Sequence, residues 1–134
     1  MVYIIMSSER DIIEELTVDE CKELQDKLEN KVLIIKFSAD WCKPCQKIKP
    51  LVNEHISKLP ENVLIADIDI DETMDLYMAF RNKKMLSGIP TILAFYGDVD
   101  HEHWYVSDAS VSGQDEESIN NFFKNVIEKA NSLR

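Results

Sequence analysis

Apolar positions along the chain follow two periods, and the switches between them mark the elements. Val32-Leu33-Ile34-Ile35-Lys36-Phe37 is an almost unbroken run of β-formers, and Val63-Leu64-Ile65-Ala66 is a second. Such runs suit strands covered on both faces in a parallel sheet. Between them Ile48, Leu51, Val52, Ile56 and Leu59 recur at helical spacing, which predicts an amphipathic helix kinked at Pro50. Upstream, Thr17-Val18-Asp19-Glu20 reads as a capping box opening a helix with Val18, Cys21, Leu24 and Leu28 on one face, after a short strand over Ile12 to Leu16.

Downstream, the pattern predicts a helix over Glu72 to Asn82 with Met74, Met78 and Phe80 turned inward, then a strand over Thr91 to Tyr96. Gly97-Asp98 reads as a hairpin turn and Val99 to Val106 as the returning strand. Ile119, Phe122, Phe123, Val126, Ile127 and Ala130 share one face of a final helix. The order βαβαβαββα predicts an α/β fold, a central mixed sheet flanked by helices on both faces. No repeat, linker or compositional break divides the chain, so residues 11–134 read as one domain. Residues 1–10 read as an extension, either an extra edge strand through Val2 to Met6 or disordered.

Composition agrees with a globular chain. Of 134 residues, 45 % are hydrophobic and only 3 are Gly and 4 Pro, enough for a core without disulfide staples. A net charge of −10 opposes broad contact with nucleic-acid phosphates or anionic lipid, so neither nucleic acid nor membrane is expected as a partner. No apolar run approaches the ~20 residues that span a bilayer, and Val2 to Met6 is too short and too poorly flanked by basic residues for a secretory signal. A cytoplasmic protein is expected. The charge is uneven, however: residues 31–58 carry six lysines against Asp40 and Glu54.

The chemistry sits in that basic window. Trp41-Cys42-Lys43-Pro44-Cys45 lies where a strand gives way to a helix, which puts Cys42 at the helix N-terminus, where unpaired N–H groups and the helix dipole favour a thiolate. Cys45 follows within one turn, placed to attack a mixed disulfide formed on Cys42. A Cys-x-x-Cys at the start of the helix of a βαβ unit is a specific signal of a redox dithiol.

Phe37-Ser38-Ala39-Asp40-Trp41-Cys42-Lys43-Pro44-Cys45, then Ile48 and Pro50, then Gly88-Ile89-Pro90-Thr91, resemble the thioredoxin family over about residues 11–133. The resemblance implies a thioredoxin-like fold and reduction of disulfides in substrate proteins. Cys42 would be the attacking and Cys45 the resolving cysteine, cycling between the dithiol and a Cys42–Cys45 disulfide. Ile89 and cis-Pro90 would form the ledge for an extended substrate segment, with Trp41, Lys43, Pro44 and Gly113 around it. Electron supply would come from a reductase or a low-molecular thiol, and no bound cofactor or metal is implied. The alternatives are a disulfide oxidase or isomerase, since Lys43 replaces the family's usual glycine and can stabilise the reduced form, and a non-catalytic adaptor using the acidic surface or the 98–112 hairpin.

Lys36 stands where the family has a buried aspartate. Strand alternation turns it to the side of Val32 and Ile34, beneath the dithiol helix, and motif-anchored alignment places Asp67 opposite it. The two resemble a charge-swapped version of a family pair, and a buried Lys36–Asp67 pair serving proton transfer from Cys45 is expected. Other candidates have plainer readings. Cys21 reads as a small core residue and His55 as a half-buried packing residue. His101 and His103 alternate on the expected strand and lack a third ligand for a metal; Trp104-Tyr105 reads as packing. Lys43, Lys47, Lys49, Lys83 and Lys84 are either solvated or a basic rim around the dithiol.

Overall fold

Residues 10–134 are described by a computed structural model. The elements are β1 (Ile12–Ile13), α1 (Val18–Asp26), β2 (Val32–Ser38), α2 (Lys43–Ser57), β3 (Val63–Asp69), α3 (Met74–Asn82), β4 (Thr91–Tyr96), β5 (Ala109–Ser112) and α4 (Glu116–Leu133). Sheet order is β1-β3-β2-β4-β5, with β1, β3 and β2 parallel and β4 antiparallel to both β2 and β5. This is the mixed sheet expected from the sequence.

The run Val32 to Phe37 is buried along its length because β2 is central and both its faces are covered. Leu33, Ile35 and Phe37 pack with Cys21 of α1 and Leu76, Tyr77 and Phe80 of α3. Val32 and Ile34 pack on the opposite face with Ile48 and Val52 of α2 and Ile119, Phe123 and Val126 of α4. Alternation along one strand thus feeds two apolar layers, and α2 is laid across the face that carries Lys36. Thr17 closes its capping box with Glu20, through side chain-to-backbone bonds of 2.9 and 3.0 Å.

The first strand, expected over Ile12 to Leu16, forms only at Ile12–Ile13, and two further elements differ. In α3 the inward residues are Leu76, Tyr77 and Phe80, while Met74 and Met78 are 46 % and 36 % exposed. A nine-residue helix offers overlapping stripes, and the aromatic one wins: Tyr77 and Phe80 set their rings 5.7 and 5.8 Å from that of Phe37. The returning strand is Ala109–Ser112, not Val99 to Val106. A turn does form at Gly97-Asp98, where the Val99 N–H donates to the Tyr96 carbonyl at 3.3 Å, but no ladder follows it. The Asp108 carboxylate accepts the Tyr96 N–H at 2.7 Å and lies 2.7 Å from His101 Nε2, tying the long connection back to the end of β4. Trp104 then packs on Phe80 with ring centroids 5.2 Å apart. His101 and His103 therefore do not share a strand face; His103 stacks on Tyr105.

The proposed extension over residues 1–10 falls outside the described residues except for Arg10, whose guanidinium donates to the carbonyls of Leu59, Pro60 and Val63. Gly97 is required by close approach: a Cβ there would lie 2.2 Å from the Glu29 carbonyl oxygen.

Candidate active site

The end of β2 delivers the chain to α2 through Ala39, Asp40 and Trp41, and Cys42 caps the helix. Its backbone is extended, and its Sγ accepts the Cys45 N–H at 3.2 Å, taking up one of the donors a helix start leaves unpaired. Pro44 occupies the first turn, where no N–H is needed for the helical ladder. Cys42 and Cys45 are joined as a disulfide with their Cα atoms 5.2 Å apart. Exposure does not separate the two, since Cys42 is 5 % and Cys45 2 % exposed. What separates them is the cap: the amide of Cys45 points at Cys42 sulfur, and in the reduced state that hydrogen bond and the helix terminus favour a thiolate on Cys42.

The other expected site residues gather at the same end of the sheet. The Ile89–Pro90 peptide is cis, Ile89 is half-buried against the apolar cluster that contains both cysteines, and Pro90 is buried. Gly113, at φ 86°, donates its N–H to the Pro90 carbonyl at 3.0 Å. Thr91 ties this loop to β5, through Oγ1 bonds of 2.7 Å to the Gly88 carbonyl and 3.0 Å to Ser112 Oγ. Lys43 is exposed at the first position of α2. Trp41 is 66 % exposed, and its Nε1 donates to Asp71 at 2.8 Å. Asp71 was not foreseen; the only hint is the Asp67-Ile68-Asp69-Ile70-Asp71 alternation, which places it past the end of β3.

Lys36 pairs in register with Asp67, as expected from the alignment. Its Nζ lies 3.9 Å from Asp67 Oδ1, a charge contact longer than a hydrogen bond. The pair is buried on one side only, with the Lys36 side chain 4 % and the Asp67 side chain 39 % exposed. Burial pushes the Lys36 ammonium below the ordinary lysine range, Asp67 opposes that, and Lys49 on α2 adds to it. A fully buried pair is therefore corrected to a buried ammonium facing a partly solvated carboxylate.

The third thiol lies apart. Cys21 is fully buried on α1 and its pKa is pushed up to about 11 by that burial, with a bond from Gln25 opposing. His55 bonds Asn120 at 2.7 Å and stacks on Phe123, a packing role as expected. Alkylation of the reduced protein with iodoacetamide near neutral pH is expected to modify Cys42 first and leave Cys21 untouched until the chain unfolds. Peptide mass mapping that finds Cys45 or Cys21 labelled first would contradict the assignment of the nucleophile.

Comparison with known proteins agrees with this geometry. A family model described as Thioredoxin matches residues 13–125. The mitochondrial thioredoxin of Mus musculus is 30 % identical over 113 residues, covering 82 % of this chain and 61 % of that protein. The mitochondrial thioredoxin of Bos taurus is 31 % identical over 108 residues, covering 78 % of this chain and 58 % of that one. The chain thus spans about three-fifths of the length of these relatives. Among solved structures, a thioredoxin of Malassezia sympodialis superposes with a TM-score of 0.63 at 21 % identity, covering 92 % of this chain and 96 % of that one. The thioredoxin of Fasciola hepatica gives 0.63 at 21 % identity, covering 84 % and 98 %. A family match over most of the described residues, with Cys42 and Cys45 bonded at the start of α2, makes this chain a member of the thioredoxin family.

Proposed function

We propose that the protein reduces disulfides in other proteins through Cys42 and Cys45. The observation that carries this reading is Cys42 at the N-cap of α2, bonded to Cys45 and accepting its amide. Cys42 thiolate attacks one sulfur of a substrate disulfide, a mixed disulfide forms, and the first substrate sulfur leaves as a thiolate and takes a proton. Cys45 thiolate then attacks Cys42 Sγ, the Cys42–Cys45 bond forms, and the second substrate sulfur leaves. Two electrons pass from dithiol to substrate. A reductase or a low-molecular thiol returns the protein to its dithiol form.

Ile89, Pro90 and Gly113 form the ledge for the substrate segment in this reading, with Trp41, Lys43 and Pro44 on the opposite rim. Asp67, or a water held on its exposed side, accepts the Cys45 proton, and the Lys36 ammonium holds the carboxylate in place until it does. The cycle needs a compartment that keeps thiols reduced. The cytoplasm supplies one and remains our proposed location, although three matched relatives are named mitochondrial. Among the described residues no helix is long and apolar enough to cross a membrane.

Insulin reduction driven by dithiothreitol tests the activity. Catalysed precipitation of the insulin chains above the dithiothreitol rate is expected; a rate equal to dithiothreitol alone would favour a non-catalytic adaptor. Lys43 decides less than its position suggests. Its ammonium is exposed, so a surface-pair effect of ~0.2–1 kcal/mol applies, and Lys43→Gly is expected to move the two-electron potential by at most roughly 20 mV. A shift several times larger, read by equilibration with glutathione, would show a desolvated Lys43 and favour the oxidase.

A further inference from the structure

Beside the Gly88-Ile89-Pro90 loop lies a recess of about 470 Å³, lined by Arg81, Lys84, Met85, Leu86, Ser87 and Ser112. Its floor belongs to the active-site end of the molecule: Leu86 and Met85 join the apolar cluster that holds Cys42 and Cys45. Ser112 bonds Thr91, next to Pro90. The wall is cationic. Lys84 is held at φ 61°, with its N–H on the Arg81 carbonyl at 2.9 Å, and the following Met85 N–H returns to the Phe80 carbonyl at 3.0 Å.

These two cations share one recess on a chain of net charge −10. Lys27, Lys36, Lys58 and Lys129 each lie within 4.0 Å of a carboxylate; among the described residues Arg81 and Lys84 belong with the remaining cations, which face none. Neighbouring Lys83 is engaged elsewhere, with its Nζ 5.0 Å from the centre of the Tyr105 ring. Among the described residues the Arg81 guanidinium bonds only the Tyr77 hydroxyl, at 3.4 Å. Two unpaired cations over a small apolar floor with two serine hydroxyls suit a short segment carrying carboxylates.

We propose that this recess is a specificity subsite that receives acidic side chains flanking the disulfide of a protein substrate, with Arg81 and Lys84 as the selecting residues. The inference rests on the disulfide-reductase reading and adds to it the chemistry of the preferred substrate. A segment lying along Ile89 and Pro90 would send side chains a few residues from its cysteine into the recess. Glutamate or aspartate there would gain two partly screened ion pairs, and lysine would meet two like charges. By surface-pair magnitudes that difference corresponds to about a ten-fold preference at low salt, shrinking as salt rises.

Three disulfide-bonded peptides test this, identical except for two flanking residues that are both Glu, both Ser or both Lys. The rate constant for reduction by the reduced protein is measured for each at low and high salt. The diglutamate peptide is expected to react about ten-fold faster than the dilysine peptide at low salt. The ratio should fall to about one in Arg81→Ser with Lys84→Ser, and invert in Arg81→Glu with Lys84→Glu. Lys27→Glu with Lys124→Glu makes the same charge change away from the recess and should keep the parent ratio. Circular dichroism checks the fold of each variant, and the parent's own ratio and its salt dependence decide the matter if a variant fails to fold. A parent ratio near one, with the diserine peptide still reduced, overturns the subsite and leaves the reductase reading standing. A ratio that moves equally in the Lys27/Lys124 variant overturns it in favour of diffuse charge. If no peptide is reduced, both readings fall.

Discussion

Cys45→Ser is expected to turn a protein that releases its substrates into one that holds them, while Cys42→Ser loses disulfide reduction down to the uncatalysed background. The difference follows from the cap. Cys42 Sγ takes the N–H of Cys45 at the start of α2, so in the proposed cycle Cys42 carries the stabilised thiolate and makes the first attack. Removing it removes the only step that engages substrate. Removing Cys45 leaves that step intact and deletes the attack that releases the mixed disulfide, so the covalent complex accumulates. Non-reducing electrophoresis of Cys45→Ser incubated with disulfide-containing proteins should give bands that vanish with dithiothreitol, and Cys42→Ser should give few. Equal trapping by both variants, or by neither, would contradict the assigned order.

Asp67→Asn should destabilise the fold by about 1–3 kcal/mol at neutral pH, less than the cost of breaking a fully enclosed pair, because water reaches the Asp67 side. Lys36→Met should cost no more than about 1 kcal/mol and can stabilise, since it removes a desolvated ammonium and leaves a carboxylate that remains partly in water. The asymmetry has a pH signature. Burial lowers the folded-state pKa of Lys36 below its unfolded value. Between those two values the unfolded chain binds more protons, so this group makes stability rise with pH. The penalty is complete below the folded pKa and is relieved as pH passes the unfolded one, near ~10.4. Loss of Asp67 lowers the folded pKa further and widens that window. Denaturant unfolding at neutral pH and near pH ~10 should therefore show the deficit of Asp67→Asn shrinking at high pH. A constant deficit would mean that Lys36 is not a buried ammonium. If the pair also serves proton transfer, both variants should shift the pH profile of mixed-disulfide resolution. An unshifted profile would send the Cys45 proton directly to solvent.

Continuous apolar runs made β2 and β3 legible in the sequence, and the thioredoxin resemblance, which makes them parallel neighbours, set Lys36 opposite Asp67. The exposure of Asp67 was not legible, because it depends on how far the neighbouring strand extends. β1 covers β3 only at Ile65 and Ala66, and Asp67 is the next residue. Phe80 faces inward as expected; Met74 and Met78 have acceptable helical spacing too, and only the position of the Phe37 ring selects Tyr77 in their place. Val99 to Val106 has strand-like composition, yet the Asp108 carboxylate takes the Tyr96 N–H and holds the segment as a loop. The dithiol was readable because its chemistry depends on three-residue spacing at a helix start, which is local. Asp71 on Trp41 and the recess at Arg81 and Lys84 join residues from separate elements, so the local pattern marks Asp71 and Lys84 without showing what either meets.

Whether Cys42 and Cys45 form a reducing couple is read from the reduction potential of that couple. The protein would be equilibrated with graded ratios of reduced and oxidised dithiothreitol or glutathione and scored by thiol alkylation and mass. A midpoint near the ~−270 mV of thioredoxin-type dithiols is the predicted result, because Lys43 is exposed and tunes the poise only weakly. A midpoint between roughly −180 and −120 mV, the range of isomerases and oxidants, would contradict the account and make the protein a donor of disulfides.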